Sequence, residues 1–238
     1  MRIETVATVK EIVPKQVIGR TVIVIDVLRA SSTIITAFEA GFLSVIPAET
    51  PENAWALQTE NTKIAGEVFG KKVEGFDYQN SPTELLRETQ AGKHLILSTT
   101  NGTRAIFKAQ KAKQVFIGCF LNAASCIERA LFMKDDITLY CAGTRNEFAL
   151  EDGLAAGLMI HLAKKTDPSV EVCDLSKALE ASYQQLEHLF PNLFLSTTTG
   201  KRLVENQYRK DIFYCCRINN SQIVPIVCKN RIFPFSSS

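Results

Sequence analysis

Val22-Ile23-Val24-Ile25-Asp26-Val27-Leu28-Arg29-Ala30-Ser31-Ser32-Thr33 reads as a strand that runs into a helix. Residues 22–25 are consecutive β-branched apolar side chains with no polar alternate, the pattern of a strand buried on both faces. The run stops at Asp26; Arg29 follows three residues later, and then the small polar residues Ser31, Ser32 and Thr33. Open α/β sheets bind ligands beyond the carboxyl ends of their strands. A carboxylate and a guanidinium placed there have two readings, an ion pair closing the turn or part of a ligand site.

Outward from this stretch, strand and helix patterns alternate. A strand at 3–9 precedes it. The helix that follows carries Ile34, Ile35, Ala37 and Phe38 on one face and ends at Gly41. A strand at 43–46 leads to Thr50-Pro51, an N-cap and first helical position, and a helix through Trp55 and Leu57. Residues 63–65 lead into Gly66-Glu67 and a loop at 75–82, and strands are predicted at 94–98, 115–117 and 137–140. Ser81, Pro82 and Glu84 form a capping-box pattern, and Asn122 opens a helix. Glu151 and Asp152 lie in the first turn of an apolar helix at 153–162, where the helix dipole alone accounts for acidic residues. Towards the end come a strand at 170–173, a helix at 175–190 stopped by Pro191, and a hairpin of 212–218 and 222–227 turning at Asn219-Asn220. This order predicts an α/β fold, a layered α/β/α arrangement with a largely parallel or mixed sheet. One domain over 1–238 is expected, with repeated strand-turn-helix units, a C-terminal hairpin at about 211–228 and a frayed Ser-rich end.

Composition narrows the function. Of 238 residues, 46% are apolar and 22% charged, and the net charge of +2 comes with no basic block, which excludes the footprint of a nucleic-acid binder. No run nears the ~18 apolar residues of a membrane span, and the N-terminus lacks a signal-peptide core. Seven cysteines are irregularly spaced without Cys-x-x-Cys, and His94, His161 and His188 lie far apart, so nothing has zinc-ligand spacing. Buried thiols in a reducing, cytoplasmic compartment are expected.

Three predicted strands end in a polar switch followed by an arginine: Asp26-Val27-Leu28-Arg29, Thr100-Asn101-Gly102-Thr103-Arg104 and Cys141-Ala142-Gly143-Thr144-Arg145. Neighbouring parallel strands would bring these turns to one sheet edge. Gly102 and Gly143 permit backbone N–H groups to curl round an anion, and Arg29, Arg104 and Arg145 suit phosphate, sulfonate or carboxylate. Against these cations stand acids in unusual loops: Asp26, Glu67, Asp77, Glu151 and Asp152. A multiply charged anion beside several carboxylates calls for a divalent cation between them, which points to Mg²⁺-assisted phosphoryl chemistry. Common phosphatase signatures fail on spacing. Leu28 stands where a second aspartate of the Asp-x-Asp type belongs, and Cys141 is too close to Arg145 for a cysteine-phosphatase loop. The 196–201 run lacks the first glycine of a phosphate loop and has Arg202 where Ser or Thr belongs.

Taken together, Asp26-Val27-Leu28-Arg29-Ala30, Gly66-Glu67, Gly75-Phe76-Asp77, Asn80-Ser81-Pro82, Thr99-Thr100-Asn101-Gly102-Thr103, Asn122, Cys141-Ala142-Gly143 and Glu151-Asp152 resemble the 2-phosphosulfolactate phosphatase family, the ComB-like proteins. The likeness runs in order from about residue 20 to 160. It implies the ComB-like α/β fold and Mg²⁺-dependent hydrolysis of 2-phospho-3-sulfolactate, a small anionic substrate. Charge and hydropathy give no nucleic-acid or membrane partner, and a homodimer is compatible with the sequence. Under this resemblance Asp26 and Glu67, with Asp77 or Asp152 and with Glu151 nearby, are expected to hold Mg²⁺. Arg29, Arg104 and Arg145 neutralise the phosphoryl group and hold the sulfonate and carboxylate, and the backbone of 100–103 cradles an anion. Ser31, Asn80, Ser81, Thr100, Asn101, Gly102, Thr103, Asn122, Cys141 and Gly143 are the remaining expected substrate contacts. Asp26 is the first candidate for a nucleophile and Cys141 the second; direct attack by water is the alternative. The family usually has Gly before Asn-Ser-Pro, and this chain has Gln79, so a reshaped loop and altered substrate preference are expected there. A phosphatase of another phosphorylated hydroxy acid and a non-catalytic binder of such anions are the other readings.

Overall fold

The 22–25 run forms the strand Thr21–Ile25, paired in parallel on both sides and buried on both faces. Ile23 and Ile25 pack with Ile127, Leu154 and Met159 on one face of the sheet, while Val22 and Val24 pack with Ile34, Ile106 and Tyr140 on the other. A strand covered on both faces cannot alternate polar and apolar residues, which explains the run.

The computed structural model describes residues 1–235; the Ser-rich end expected to fray lies outside the described residues. In chain order run β1 (Arg2–Val6), β2 (Thr21–Ile25), α1 (Ala30–Glu39), β3 (Ser44–Ala48), α2 (Pro51–Ala56), β4 (Thr62–Val68) and β5 (Lys71–Lys72). Next come α3 (Pro82–Leu85), β6 (His94–Ser98), α4 (Gly102–Ala109), β7 (Gln114–Gly118), α5 (Ala123–Phe132), β8 (Ile137–Cys141) and α6 (Leu150–Thr166). The chain closes with β9 (Glu171–Val172), α7 (Asp174–Leu186), α8 (Asn192–Leu195), α9 (Thr198–Glu205), α10 (Arg209–Cys215), β10 (Pro225–Cys228) and β11 (Arg231–Pro234). The result is a layered α/β fold on a mixed sheet in the order β5-β4-β6-β3-β11-β10-β7-β2-β8-β1-β9.

The sheet holds two parallel blocks, β4-β6-β3 with β5 antiparallel at its edge and β7-β2-β8-β1-β9, and the antiparallel hairpin β10–β11 is wedged between them. β6 is therefore no neighbour of β2, as the three-turn expectation required. The pairings β3–β11, β11–β10 and β10–β7 are all antiparallel, so a flat sheet would put the ends of β6 and β2 on opposite edges. The sheet is not flat. Roughly 20–25° of twist per strand accumulates to about 100–125° over five steps, and α4, which follows β6, lies against β2. The turns after β2 and β8 meet as neighbours, and the turn after β6 joins them by twist.

The expected C-terminal hairpin is corrected. Residues 209–215 are helical, and the hairpin pairs Pro225–Cys228 with Arg231–Pro234. Asp211, Ile212, Tyr214 and Cys215 are the buried positions of α10, one helical face rather than a strand alternation. Asn219 makes no hairpin turn; its side chain accepts the Ala124 N–H at 2.8 Å, at the start of α5.

Candidate active site

Asp26 follows β2 directly and lines a narrow pocket of about 40 Å³, together with Leu28, Arg29, Glu67, Phe69, Gly70, Asn80, residues 99–101, residues 143–145, Arg202 and Leu203. The Asp26 backbone is braced by Ser31, whose Oγ accepts the Asp26 N–H at 2.9 Å. Its Oδ1 accepts the Ala30 N–H at 3.2 Å, at the start of α1. Its Oδ2 faces Gly102 so closely that a Cβ there would stand 2.6 Å away, so α4 reaches the carboxylate only because residue 102 is glycine. Burial, and then the nearby Glu67 and Glu151 carboxylates, raise the Asp26 pKa to about 7, against the Ala30 N–H and the Arg29 charge, which lower it.

Asp26 and Arg29 do not form an ion pair. The partner of Arg29 is Asp211 on α10, at 2.5 Å, both side chains buried. The other Asp211 oxygen accepts from Ser81 Oγ at 2.9 Å and Thr83 Oγ1 at 2.6 Å. Gln79 Oε1 accepts from Arg29 Nη2, and the Tyr208 ring stands 4.7 Å from the guanidinium carbon. Gln79 is buried and outside the left-handed region, so the loop replaces the glycine with a side chain turned inward rather than with a strained turn.

Glu67 comes from the end of β4. Its Oε1 accepts from Thr100 N–H and Oγ1, both at 3.0 Å, and its Oε2 accepts from Gly70 N–H. Asp152, in the first turn of α6, ties two turns together by accepting Val27 N–H at 2.8 Å and Gly143 N–H at 2.9 Å. Burial, with Asp26 and Glu151 close by, pushes its pKa up, and the two N–H donors oppose that shift. The expected anion cradle is therefore partly filled by the protein's own carboxylates: Glu67 takes the Thr100 amide and Asp152 the Gly143 amide. The Thr103 N–H goes to Thr99 Oγ1 at 3.1 Å, and Asn101 Nδ2 crosses to Gly143 O at 3.1 Å.

Arg145 reaches the pocket from a turn in which Thr144 and Glu147 exchange both backbone hydrogen bonds, with φ of +51° at Arg145 and +65° at Asn146. Arg202, half-buried on α9, donates to Thr144 Oγ1 at 3.2 Å, and its Nε has no partner. Burial lowers its pKa, and the nearby Arg145 and Arg29 charges act in the same direction.

The pocket thus collects three arginines, but one differs from expectation. Arg104 is exposed on α4 and does not line it; Arg202 does. The sequence held one signal for Arg202, the 196–201 run, which is not a phosphate loop: Thr197 caps α9, accepting the Gly200 N–H at 3.1 Å. Asp77 also lies elsewhere, bound to Lys63 Nζ at 2.6 Å and Ile64 N–H at 2.9 Å, where it fastens the 75–80 loop to β4. Glu151 is buried behind the pocket against Thr197 and Thr199, with Oε2 unpartnered. Ser31, Ser81 and Thr103 serve backbone and caps, and Asn122 is fully engaged by Cys119 N–H, Ile117 O and Ile223 O. Burial raises the Cys141 thiol well above its ordinary value, so it lacks the thiolate a nucleophile needs. Asn80 does line the pocket, buried, and its Oδ1 has no partner.

Among the described residues, no three His, Cys, Asp or Glu side chains are grouped to cage a metal, and no helix is long and apolar enough to cross a membrane. A family model described as 2-phosphosulpholactate phosphatase matches residues 6–230. A protein of Thermotoga petrophila named probable 2-phosphosulfolactate phosphatase is 37% identical over 214 residues, 90% of this chain and 91% of its own. Proteins with the same name from Clostridium acetobutylicum and Caldicellulosiruptor saccharolyticus are 33% and 35% identical, over 94% and 97% of this chain and 97% of their own in both cases. Matched along nearly its whole length, the chain belongs to the 2-phosphosulpholactate phosphatase family of phosphoric monoester hydrolases.

Proposed function

We propose that the chain hydrolyses 2-phospho-3-sulfolactate to 3-sulfolactate and inorganic phosphate, with Mg²⁺ held by Asp26 and Glu67. The observation that carries this reading is the convergence of Arg29, Arg145 and Arg202 with those two acids round one pocket. The substrate carries phosphate, sulfonate and carboxylate, and three guanidinium groups supply fork-shaped donors for three anionic groups.

The donor set fits a hard cation. Mg²⁺ sites use one or two carboxylates, other oxygens and substrate phosphate rather than a full protein cage. Asp26 and Glu67 supply the carboxylates, and Asn80 Oδ1 is a buried oxygen without a partner on the same wall. When bound, Mg²⁺ supplies positive charge to the phosphoryl oxygens and offsets carboxylates that would otherwise repel the substrate. Arg29, fixed by Asp211, holds a phosphoryl oxygen in place, and Arg145 and Arg202 bind the remaining anionic groups. In the reaction a bond forms between phosphorus and the water oxygen while the bond from phosphorus to the C2 oxygen breaks. The proton lost by water ends on that leaving oxygen. Asp26, whose burial disfavours a bare carboxylate, would be held ionised by the cation, so its role in this reading is that of a ligand. All seven cysteines are free thiols, which supports a cytoplasmic location for the reaction.

The test is release of inorganic phosphate from 2-phosphosulfolactate, with Mg²⁺ and with EDTA. Release that stops in EDTA and returns with added Mg²⁺ is expected. No release overturns the substrate assignment, and undiminished release in EDTA overturns the metal. A panel of other phosphorylated hydroxy acids, expected to react at least about 10-fold more slowly, tests the alternative substrates.

A further inference from the structure

Asp211 accepts from Nη1 alone of the Arg29 guanidinium, and a guanidinium anchored at one nitrogen can still pivot about that bond. The second point of attachment is Gln79, which is fully buried and uses both ends of its amide. Oε1 accepts from Arg29 Nη2, and Nε2 donates to Gly70 O at 2.9 Å. Only this orientation satisfies both neighbours, because the flipped amide would set NH₂ against guanidinium and oxygen against carbonyl. The Gln79 N–H is itself held by Glu84 Oε2 at 2.9 Å.

Gly70 and Phe69 form the two-residue turn between β4 and β5, with φ of +84° and +54°. The Gly70 N–H binds the Glu67 carboxylate, and its carbonyl also receives Asn206 Nδ2 at 3.4 Å. One buried side chain therefore joins the pocket's arginine to the turn that holds the pocket's acid.

We propose that Gln79 is a positioning residue: it locks Arg29 and the Phe69-Gly70 turn into one unit, so that a phosphate oxygen meets Arg29 in a single orientation. This rests on the reading of Arg29 as a phosphate ligand. Asp211 and the Tyr208 ring set where the guanidinium sits, and Gln79 sets which way its remaining N–H groups point.

Gln79→Met keeps the length of the side chain and removes both contacts. The affinity for inorganic phosphate, measured by calorimetry in Mg²⁺, and kcat and KM for phosphate release are compared for wild type, Gln79→Met, Arg29→Lys and the double variant. Gln79→Met is expected to weaken phosphate binding on the order of 10-fold, the scale seen when outer-shell partners are removed, and to raise KM more than it lowers kcat. In the Arg29→Lys background the same change is expected to alter phosphate affinity less than about 2-fold, because its target is gone. An equal loss in both backgrounds, or no loss in the wild-type background, overturns the proposal. Should the Met variant fail to fold by circular dichroism, Gln79→Ala takes its place with the same expected pattern. Calorimetry needs no turnover, so phosphate binding without hydrolysis of 2-phosphosulfolactate defeats the substrate assignment and still leaves this comparison decisive.

Discussion

Asp26 is where burial and charge oppose each other most directly. Two helix starts, at Ala30 and Gly102, favour an ionised carboxylate, yet desolvation and two neighbouring acids win and carry its pKa to about 7. The consequence for stability has a definite sign. Between the ordinary 3.8 and about 7 Asp26 in the folded chain keeps a proton that the unfolded chain has released, so in EDTA the Asp26 contribution to stability falls as pH rises through that window and is constant above it. Asp26→Asn carries no such dependence. Its melting temperature, measured in EDTA, is expected to gain on wild type from pH 4 to pH 7 and to hold that gain at higher pH; parallel curves would contradict the placement of the charge. The same variant, with one proposed metal ligand lost, is expected to lose phosphate release by at least about 10²-fold, more than the loss of an outer-shell partner costs, with circular dichroism unchanged. Unchanged turnover would remove Asp26 from the chemistry.

At the scale of the element, the turn that carries Arg145 gives up stability for position. Two-residue hairpin turns with positive φ at both central residues favour Asn-Gly, because an L side chain there costs about 1–2 kcal/mol, and this turn places Arg145 and Asn146 there. Arg145→Gly is expected to stabilise the fold by about 1 kcal/mol, a rise in melting temperature of roughly 2–4 °C, while kcat/KM falls by at least about 10-fold. A variant that is both less stable and fully active would show that the turn has no such trade. The strand-turn-helix units themselves are legible in the sequence, because buried runs such as 22–25 and 94–98 and caps such as Thr50 and Ser81 are local signals. What each polar group binds is not local. Nothing near Thr100 says that its amide serves Glu67, and nothing near Arg29 announces Asp211, 182 residues away. The segment 212–218 reads as a strand from its β-branched and aromatic residues, and tertiary burial of one helical face overrides that propensity.

Across the whole molecule, the pocket is closed by a part of the chain whose sequence carries few signals. Arg202 on α9 and Asp211 on α10 come from beyond residue 190, while the acids come from the first half. Ligand binding must therefore hold the two together, and linkage gives its size. A ligand at 10 times its Kd stabilises by about 1.4 kcal/mol, which for a chain of this length moves the melting temperature by roughly 3–6 °C. Inorganic phosphate with Mg²⁺ is expected to produce that shift in the wild-type chain. Arg202→Ala leaves the first half of the pocket intact but removes the arginine that α9 contributes, so the shift at the same phosphate concentration is expected to fall below about 1 °C. The melting temperature without ligand should change little, because Arg202 Nε has no partner to lose and its one protein hydrogen bond is to Thr144 Oγ1 among the described contacts. A phosphate-induced shift of full size in Arg202→Ala would mean that the site is complete without the C-terminal helices.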